Sequence, residues 1–348
     1  MSIEQFFGAL QSYPILWGAV ALALGVILVN GWTDAPNAIA TCVMTRALRP
    51  RSAILLAAVF NLLGVLVMTS LVPKVACTIL GMVDFGGNDR QAMLALLAAM
   101  VAIVAWAVAA WVFGIPTSES HALIAGLSGS AIALHGGLGG IRTAEWSKVL
   151  FGLVGSVAVG FALGYCATRL VRYLCRQAER GRANRLFGYG QVATAAGMAF
   201  MHGAQDGQKF MGIFLLAIAL ANGGARDSFT IPLWLMLLCS VVMALGTCLG
   251  GKRIIKAVGQ DMVRLERYQS FAADFSAGVA LLACSLLGLP VSTTHAKTTA
   301  LLGAGAAKSV RSVDWRVARD MVLTWVLTFP GCGLVGFGFT KLFLWLGR

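Results

Sequence analysis

Long apolar runs separated by short polar breaks make up almost the whole chain. Runs near 13–44, 52–72, 91–113, 123–135 and 149–171 are followed by a second series near 191–221, 231–249, 271–287, 297–307 and 320–346. Most approach the length of about 20 residues at which a helix crosses a bilayer. None shows the strict alternation of a half-buried strand, so helices are predicted throughout. Two runs are interrupted from within. One break is Asn30-Gly-Trp-Thr-Asp-Ala-Pro-Asn37, the other His202-Gly-Ala-Gln-Asp-Gly-Gln-Lys209. Glycine and, in the first, proline are the residues that stop a helix there.

The polar breaks recur. Gly114-Ile-Pro-Thr-Ser-Glu-Ser-His-Ala122 returns as Gly288-Leu-Pro-Val-Ser-Thr-Thr-His-Ala296, an offset of 174. Gly31/Gly203 and Asp34/Asp206 are separated by 172, and Trp146/Trp315 by 169. Nearly constant offsets across ordered landmarks indicate an internal duplication. The units expected are a first repeat over 1–172, a basic linker over 173–189 and a second repeat over 190–348.

Composition places this duplication in a membrane. Hydrophobic residues are 58% of the chain and charged residues 12%, about half the share of ordinary soluble domains. The net charge of +13 would suggest nucleic acid in a soluble protein, but the basic residues sit in short links between apolar runs. With about five crossings per half, the links 46–51, 172–185, 252–267 and 308–319 fall on one side and hold 17 of the 27 Lys and Arg. The positive-inside rule makes that side cytoplasmic, with the central linker there and both termini outside. An odd number of crossings per half inverts the second repeat, as in many secondary transporters. The expected class is therefore an all-α polytopic membrane protein of two inverted repeats, with broken helices and Pro-started half-helices at the midplane. The eight cysteines lie mostly in apolar runs without a C-x-x-C pair and read as buried small hydrophobes. The first run lacks a basic flank and reads as a retained span rather than a signal peptide.

Chemistry concentrates in the breaks. Asp34 and Asp206 are carboxylates at membrane depth, which normally face a bundle interior or a water-filled path, and equivalent repeat positions should bring them together. The islands supply Thr117, Ser118 and Ser120 in one copy and Ser292, Thr293 and Thr294 in the other, each ahead of a small-residue helix. Helix N-termini with hydroxyls make an anion site. Carboxylates facing such a site repel an anion unless a cation or proton neutralises them, so anion and cation should bind together. Asn37 and Gln208 offer neutral oxygens for a hard cation. Glu119, which stands where the second island has Thr293, is a candidate proton site. His121, His295, Lys209 and Lys297 are secondary candidates, the histidines as packing residues or ligand contacts, the lysines as partners of Asp206 or of the anion.

At these residues the chain resembles the inorganic phosphate transporter (PiT) family over nearly its full length. The family's G-A-N-D-type motif is matched by Gly31-Trp-Thr-Asp34 with Pro36-Asn37 and by Gly203-Ala-Gln-Asp206 with Gln208, and its P-x-S-[ST]-[ST]-H segments by Pro116–His121 and Pro290–His295. The resemblance implies symport of phosphate with Na⁺ or H⁺ across the cell membrane, a site between the repeats, no cofactor beyond the coupling cation, lipid surroundings and a homodimer. Phosphate would be bound by Asp34, Asn37, Ser118, Ser120, Asp206, Gln208, Ser292, Thr293 and Thr294. The coupling ion would be bound by Asp34, Asn37, Asp206 and Glu119, and a metal by Asp34 and Asp206 if that ion is Na⁺. Thr33 and Gln205 replace the family's Asn before each Asp, and Glu119 replaces a hydroxyl. These departures fall on the expected cation ligands, so a proton, with a metal–phosphate complex as substrate, stands beside Na⁺. Sulfate is the alternative anion within the same family.

Two other classes compete with symport. Gly126-Leu-Ser-Gly129 has the short form of an intramembrane serine protease motif, but its repeat counterpart is Ala300-Leu-Leu-Gly303, without a serine. An anion channel would share the helix-end site yet need no paired carboxylates. The sequence favours a transporter that is not an enzyme.

Overall fold

The computed structural model describes residues 2–86, 89–113, 117–222, 231–260 and 265–347. Gly114, Ile115 and Pro116 of the first island lie outside the described residues, as does part of the basic link at 252–267. Apart from one bridge between Val83 and Ile141, regular structure among the described residues is helical. A short helix α1 (Ile3–Ser12), started by a Ser2/Gln5 capping box, precedes the first apolar run.

The first run is α2 (Ile15–Thr33), a tight 3₁₀ stretch Ala35–Ile39 and α3 (Ala40–Met44). Pro36 has no N–H to give, so the α-helical ladder stops and Asn37 N bonds Asp34 O at 3.0 Å instead. Then follow α4 (Pro50–Leu71), α5 (Lys74–Gly81), α6 (Asp89–Phe113), the island helix α7 (Glu119–His135) and α8 (Thr143–Leu174). The second series is α9 (Arg180–His202), a π-helical stretch Gly203–Gly207, α10 (Gln208–Ala221), α11 (Leu233–Gln260), α12 (Arg267–Leu287), the island helix α13 (Thr293–Lys308) and α14 (Trp315–Leu346). The second interruption is thus a wide turn rather than a break, because no proline stands where the first copy has Pro36. Non-helical backbone in the central linker shrinks to 175–179, between α8 and α9.

Among the described residues, six segments are long and apolar enough to cross a membrane: Ile15–Met44, Pro50–Leu71, Arg90–Phe113, Thr143–Leu174, Arg267–Leu287 and Ala318–Leu346. Two of the apolar runs fall short of a full span for a physical reason. Helices α7 and α13 have 17 and 16 residues, about 25 Å at 1.5 Å per residue, short of the hydrocarbon thickness of about 30 Å. Both are buried along nearly their whole length, whereas α8 and α14 expose Phe151, Val154, Leu327 and Leu334 outward. The short helices form the centre and the long apolar ones the lipid-facing shell.

The two halves interlock crosswise. The island helix α7 packs on α14 of the second half, and α13 packs on α8 of the first. A Cβ on Gly129 would stand 2.0 Å from Gly333 O, and one on Gly303 would stand 2.2 Å from Phe161 O. The broken segments do the same. A Cβ on Gly31 would meet Met243 O of α11 at 2.2 Å, and one on Gly203 would meet Asn61 O of α4 at 2.1 Å. Small residues that let backbones touch are how helices associate where lipid removes the hydrophobic drive. Equivalent glycines serve equivalent, exchanged contacts, so each half completes the other.

Candidate functional site

The start of each island helix is set by a serine. Ser118 caps α7, its hydroxyl accepting from His121 N at 3.4 Å, and Ser292 caps α13, accepting from His295 N at 3.2 Å. Gly288, with φ of +70°, ends α12 in the left-handed conformation and turns the chain into the second island. Gln205 holds that island from the broken segment of the same half, donating to Ser285 Oγ at 2.9 Å and to Leu289 O at 3.3 Å. The two caps meet: Ser118 Oγ donates to Ser292 Oγ at 2.8 Å, both side chains fully buried. Two helix N-termini, each with first-turn N–H groups that have no intrahelical carbonyl, therefore face one point.

Around that point the pairing is again crosswise. Thr294 of the second island donates to Asp34 Oδ1, and Asn37 Nδ2 donates to the same oxygen at 2.8 Å and to Thr294 Oγ1 at 3.0 Å. On the other side Lys209 Nζ donates to Asp206 Oδ1 at 2.6 Å, to Ser120 Oγ of the first island at 2.8 Å and to Val291 O. Lys209, not Gln208, is the repeat equivalent of Asn37, at the same offset of 172 as the two aspartates. Asp206 Oδ2 accepts from Asn30 Nδ2 and Thr293 Oγ1, each at 3.3 Å. The expected meeting of Asp34 and Asp206 is present in the structure.

A third donor joins them. Oxygens of Asp34 and Asp206 and a nitrogen of His202 lie within 4.8 Å of one another, all buried. His202 Nδ1 meets Asn61 Oδ1 at 3.1 Å, and Nε2 lies 3.2 Å from Asp206 Oδ2. An imidazole held through its other nitrogen beside two carboxylates is the usual setting of a metal ligand. Sequence reading missed His202 and Asn30, although both stand four residues before their aspartates at the repeat offset of 172.

The charges are distributed unevenly. Asp206 carries a resident counter-ion in Lys209, while Asp34 Oδ2 has no hydrogen-bond partner. Glu119, only 3% exposed, lies beside Asn30 and within electrostatic reach of both aspartates.

Other candidates are placed elsewhere. Gln208 is turned away: its Oε1 accepts from Val75 N at 3.2 Å and its Nε2 donates to Val72 O at 3.0 Å, because the π turn rotates it toward the start of α5. His121 and His295 stack edge to face with ring centres 4.1 Å apart, His295 also lying 3.6 Å over Trp325 and His121 4.6 Å from Phe329. They pack the islands onto α14. Lys297 pairs with Asp274 rather than Asp206. Thr33 bonds back to Val29 O at 2.8 Å. Ser128 Oγ accepts from Trp146 Nε1 at 3.1 Å, a packing role unlike that of a protease nucleophile.

Comparison with known proteins gives the family of the chain. The chain is 36% identical over 319 residues to a probable low-affinity inorganic phosphate transporter of Bacillus subtilis (strain 168), covering 91% of this chain and 93% of that one. A protein of the same description from Rhizobium meliloti (strain 1021) is 36% identical over 330 residues, covering 94% and 96%. Among solved structures the fold is similar to one described as the sodium-dependent phosphate transporter, with a TM-score of 0.84 at 22% identity, covering 94% of this chain and 98% of that one. The profile of the phosphate transporter family matches residues 30–336. With nine-tenths of its length matched, the chain belongs to the phosphate transporter family, whose members are membrane transporters and not enzymes.

Proposed function

We propose that this protein is a secondary active transporter of the cell membrane that carries inorganic phosphate together with a cation. The observation that carries the reading is the convergence of two island helix N-termini on a pair of buried carboxylates, one neutralised from within and one not. Phosphate would be held by Ser118, Ser120, Ser292, Thr293 and Thr294 and by the first N–H groups of α7 and α13. A dianion placed beside ionised Asp34 meets repulsion of roughly 4 kcal/mol per pair of unit charges at 4 Å and an effective dielectric constant of 20. A cation or proton arriving on Asp34 removes it, so anion and cation enter together. Glu119 is the acceptor we assign to a proton, and Asp34 with Asp206 the pair for a metal ion.

His202 favours a second form of the substrate. A nitrogen beside two carboxylates suits a divalent metal better than Na⁺, and a metal–phosphate complex would satisfy both the carboxylates and the helix ends. Sulfate lacks the ionisable proton of hydrogen phosphate and is the competing anion. Termini outside, a cytoplasmic basic linker and a homodimer complete the proposal.

The test is uptake of labelled phosphate into proteoliposomes under imposed proton or sodium gradients, with magnesium present or chelated and sulfate as competitor. Accumulation above equilibrium driven by either gradient supports symport. Uptake indifferent to both contradicts it and supports a channel.

A further inference from the structure

A second buried charge pair lies one helical turn from the aspartate site and takes no part in it. Lys297 of α13 follows Thr294 by one turn, and its ammonium donates to Asp274 Oδ1 of α12, to Thr41 Oγ1 of α3 and to Ala38 O at the end of the 3₁₀ stretch, the last two at 3.2 Å. Thr41 Oγ1 in turn donates to Asp274 Oδ2 at 2.7 Å. Lys297, Asp274, Thr41 and Ala38 are each at most 5% exposed. A carboxylate, a hydroxyl and a backbone carbonyl drawn from three elements form the all-oxygen donor set that hard cations take.

The pair is also an addition to one half only. At the repeat offset of 174, Lys297 corresponds to Leu123 and Asp274 to Met100. The symmetric scaffold does not need it, and a buried ion pair is weak stabilisation when set against apolar residues of similar volume. Yet it joins Ala38 and Thr41, just past Asn37, to the helix carrying Thr294, the two sides that hold Asp34.

We infer that Lys297 is a tethered cation filling a hard-cation cage made by Asp274, Thr41 and Ala38, so that this position needs no sodium ion from solution. Removing the ammonium uncovers the cage, and sodium takes its place. The consequence for coupling rests on the transport reading above: the cage beside the phosphate site is permanently charged, and the driving cation is left to the Asp34 side. Occupancy of the cage by sodium does not rest on transport at all.

The experiment uses Lys297→Met, whose side chain follows the lysine stem and stops one heavy atom short of Nζ. Thermal unfolding of the purified full-length chain is compared in NaCl and in choline chloride of equal ionic strength, without phosphate. The expected result is a saturable rise of several degrees in NaCl for Lys297→Met, larger than any rise in the wild type and absent from Lys297→Met/Asp274→Asn. Recovery of Lys297→Met from NaCl but not from choline chloride supports the same conclusion. A sodium increment equal to the wild-type one, an increment that persists in the double variant, or failure to recover Lys297→Met in both salts overturns it. Loss of the transport reading would show instead as wild-type proteoliposomes that do not accumulate phosphate, with the melting result unchanged.

Discussion

Ser118 and Ser292, 174 residues apart in the chain, cap the two island helices and share a hydrogen bond of 2.8 Å. Each hydroxyl therefore both ends the exposed backbone of its own helix and touches the other. The duplication seen along the sequence closes on itself at this contact, and the carboxylates of both broken segments are gathered around it.

Ser118→Ala and Ser292→Ala should each lower stability by about 1 kcal/mol, the usual loss of an N-cap. Because the two share a bond, the double variant should lose less than the sum. Denaturant or thermal unfolding of the four proteins measures this. Full additivity would mean that the caps act independently.

Gly203→Ala should fail to give folded protein, since its Cβ would stand 2.1 Å from Asn61 O of α4. Gly197, on the same helix α9, meets nothing within 4 Å. Gly197→Ala should gain up to about 1 kcal/mol from helix propensity. Size-exclusion profiles and melting temperatures of the pair separate crossing geometry from a general intolerance of α9.

His202→Gln should abolish inhibition of phosphate uptake by Zn²⁺, a metal that prefers a nitrogen donor. Asn61→Ala, which frees the ring of His202, should weaken that inhibition by about tenfold, the lower end of what orienting partners of metal ligands contribute. Zn²⁺ titrations of uptake decide it, and unchanged inhibition in His202→Gln would remove His202 from the site.

Glu119→Gln should keep exchange of labelled for unlabelled phosphate and lose accumulation driven by a proton gradient. Counterflow and gradient-driven uptake on the same proteoliposomes distinguish the two. Loss of both would make Glu119 a structural support, and loss of neither would move the proton elsewhere.

Much of this arrangement is written in the sequence because the repeat displays it twice. Ser118, Ser292, Asp34 and Asp206 are found by matching copies, and their meeting follows from equivalence alone. Residue type misled where spacing did not. Gln208 offers the amide, two residues past Asp206, whereas Lys209 stands three past it as Asn37 does past Asp34, and the π turn points Gln208 away toward α5. His202 and Asn30 carried a legible signal, the common offset of 172, obscured by being different residue types. Asp274 carried none, because its partners Lys297 and Thr41 lie on other elements and its repeat position is apolar.

The most direct test of the central claim is gradient-driven uptake of labelled phosphate by Asp34→Asn beside the wild type. Asp34 is the choice over Asp206, whose loss would leave Lys209 buried without its counter-ion. Asp34→Asn is expected to melt near the wild type and to show no accumulation above equilibrium under either a proton or a sodium gradient. Wild-type accumulation in that variant would contradict a site in which Asp34 couples the cation to the anion.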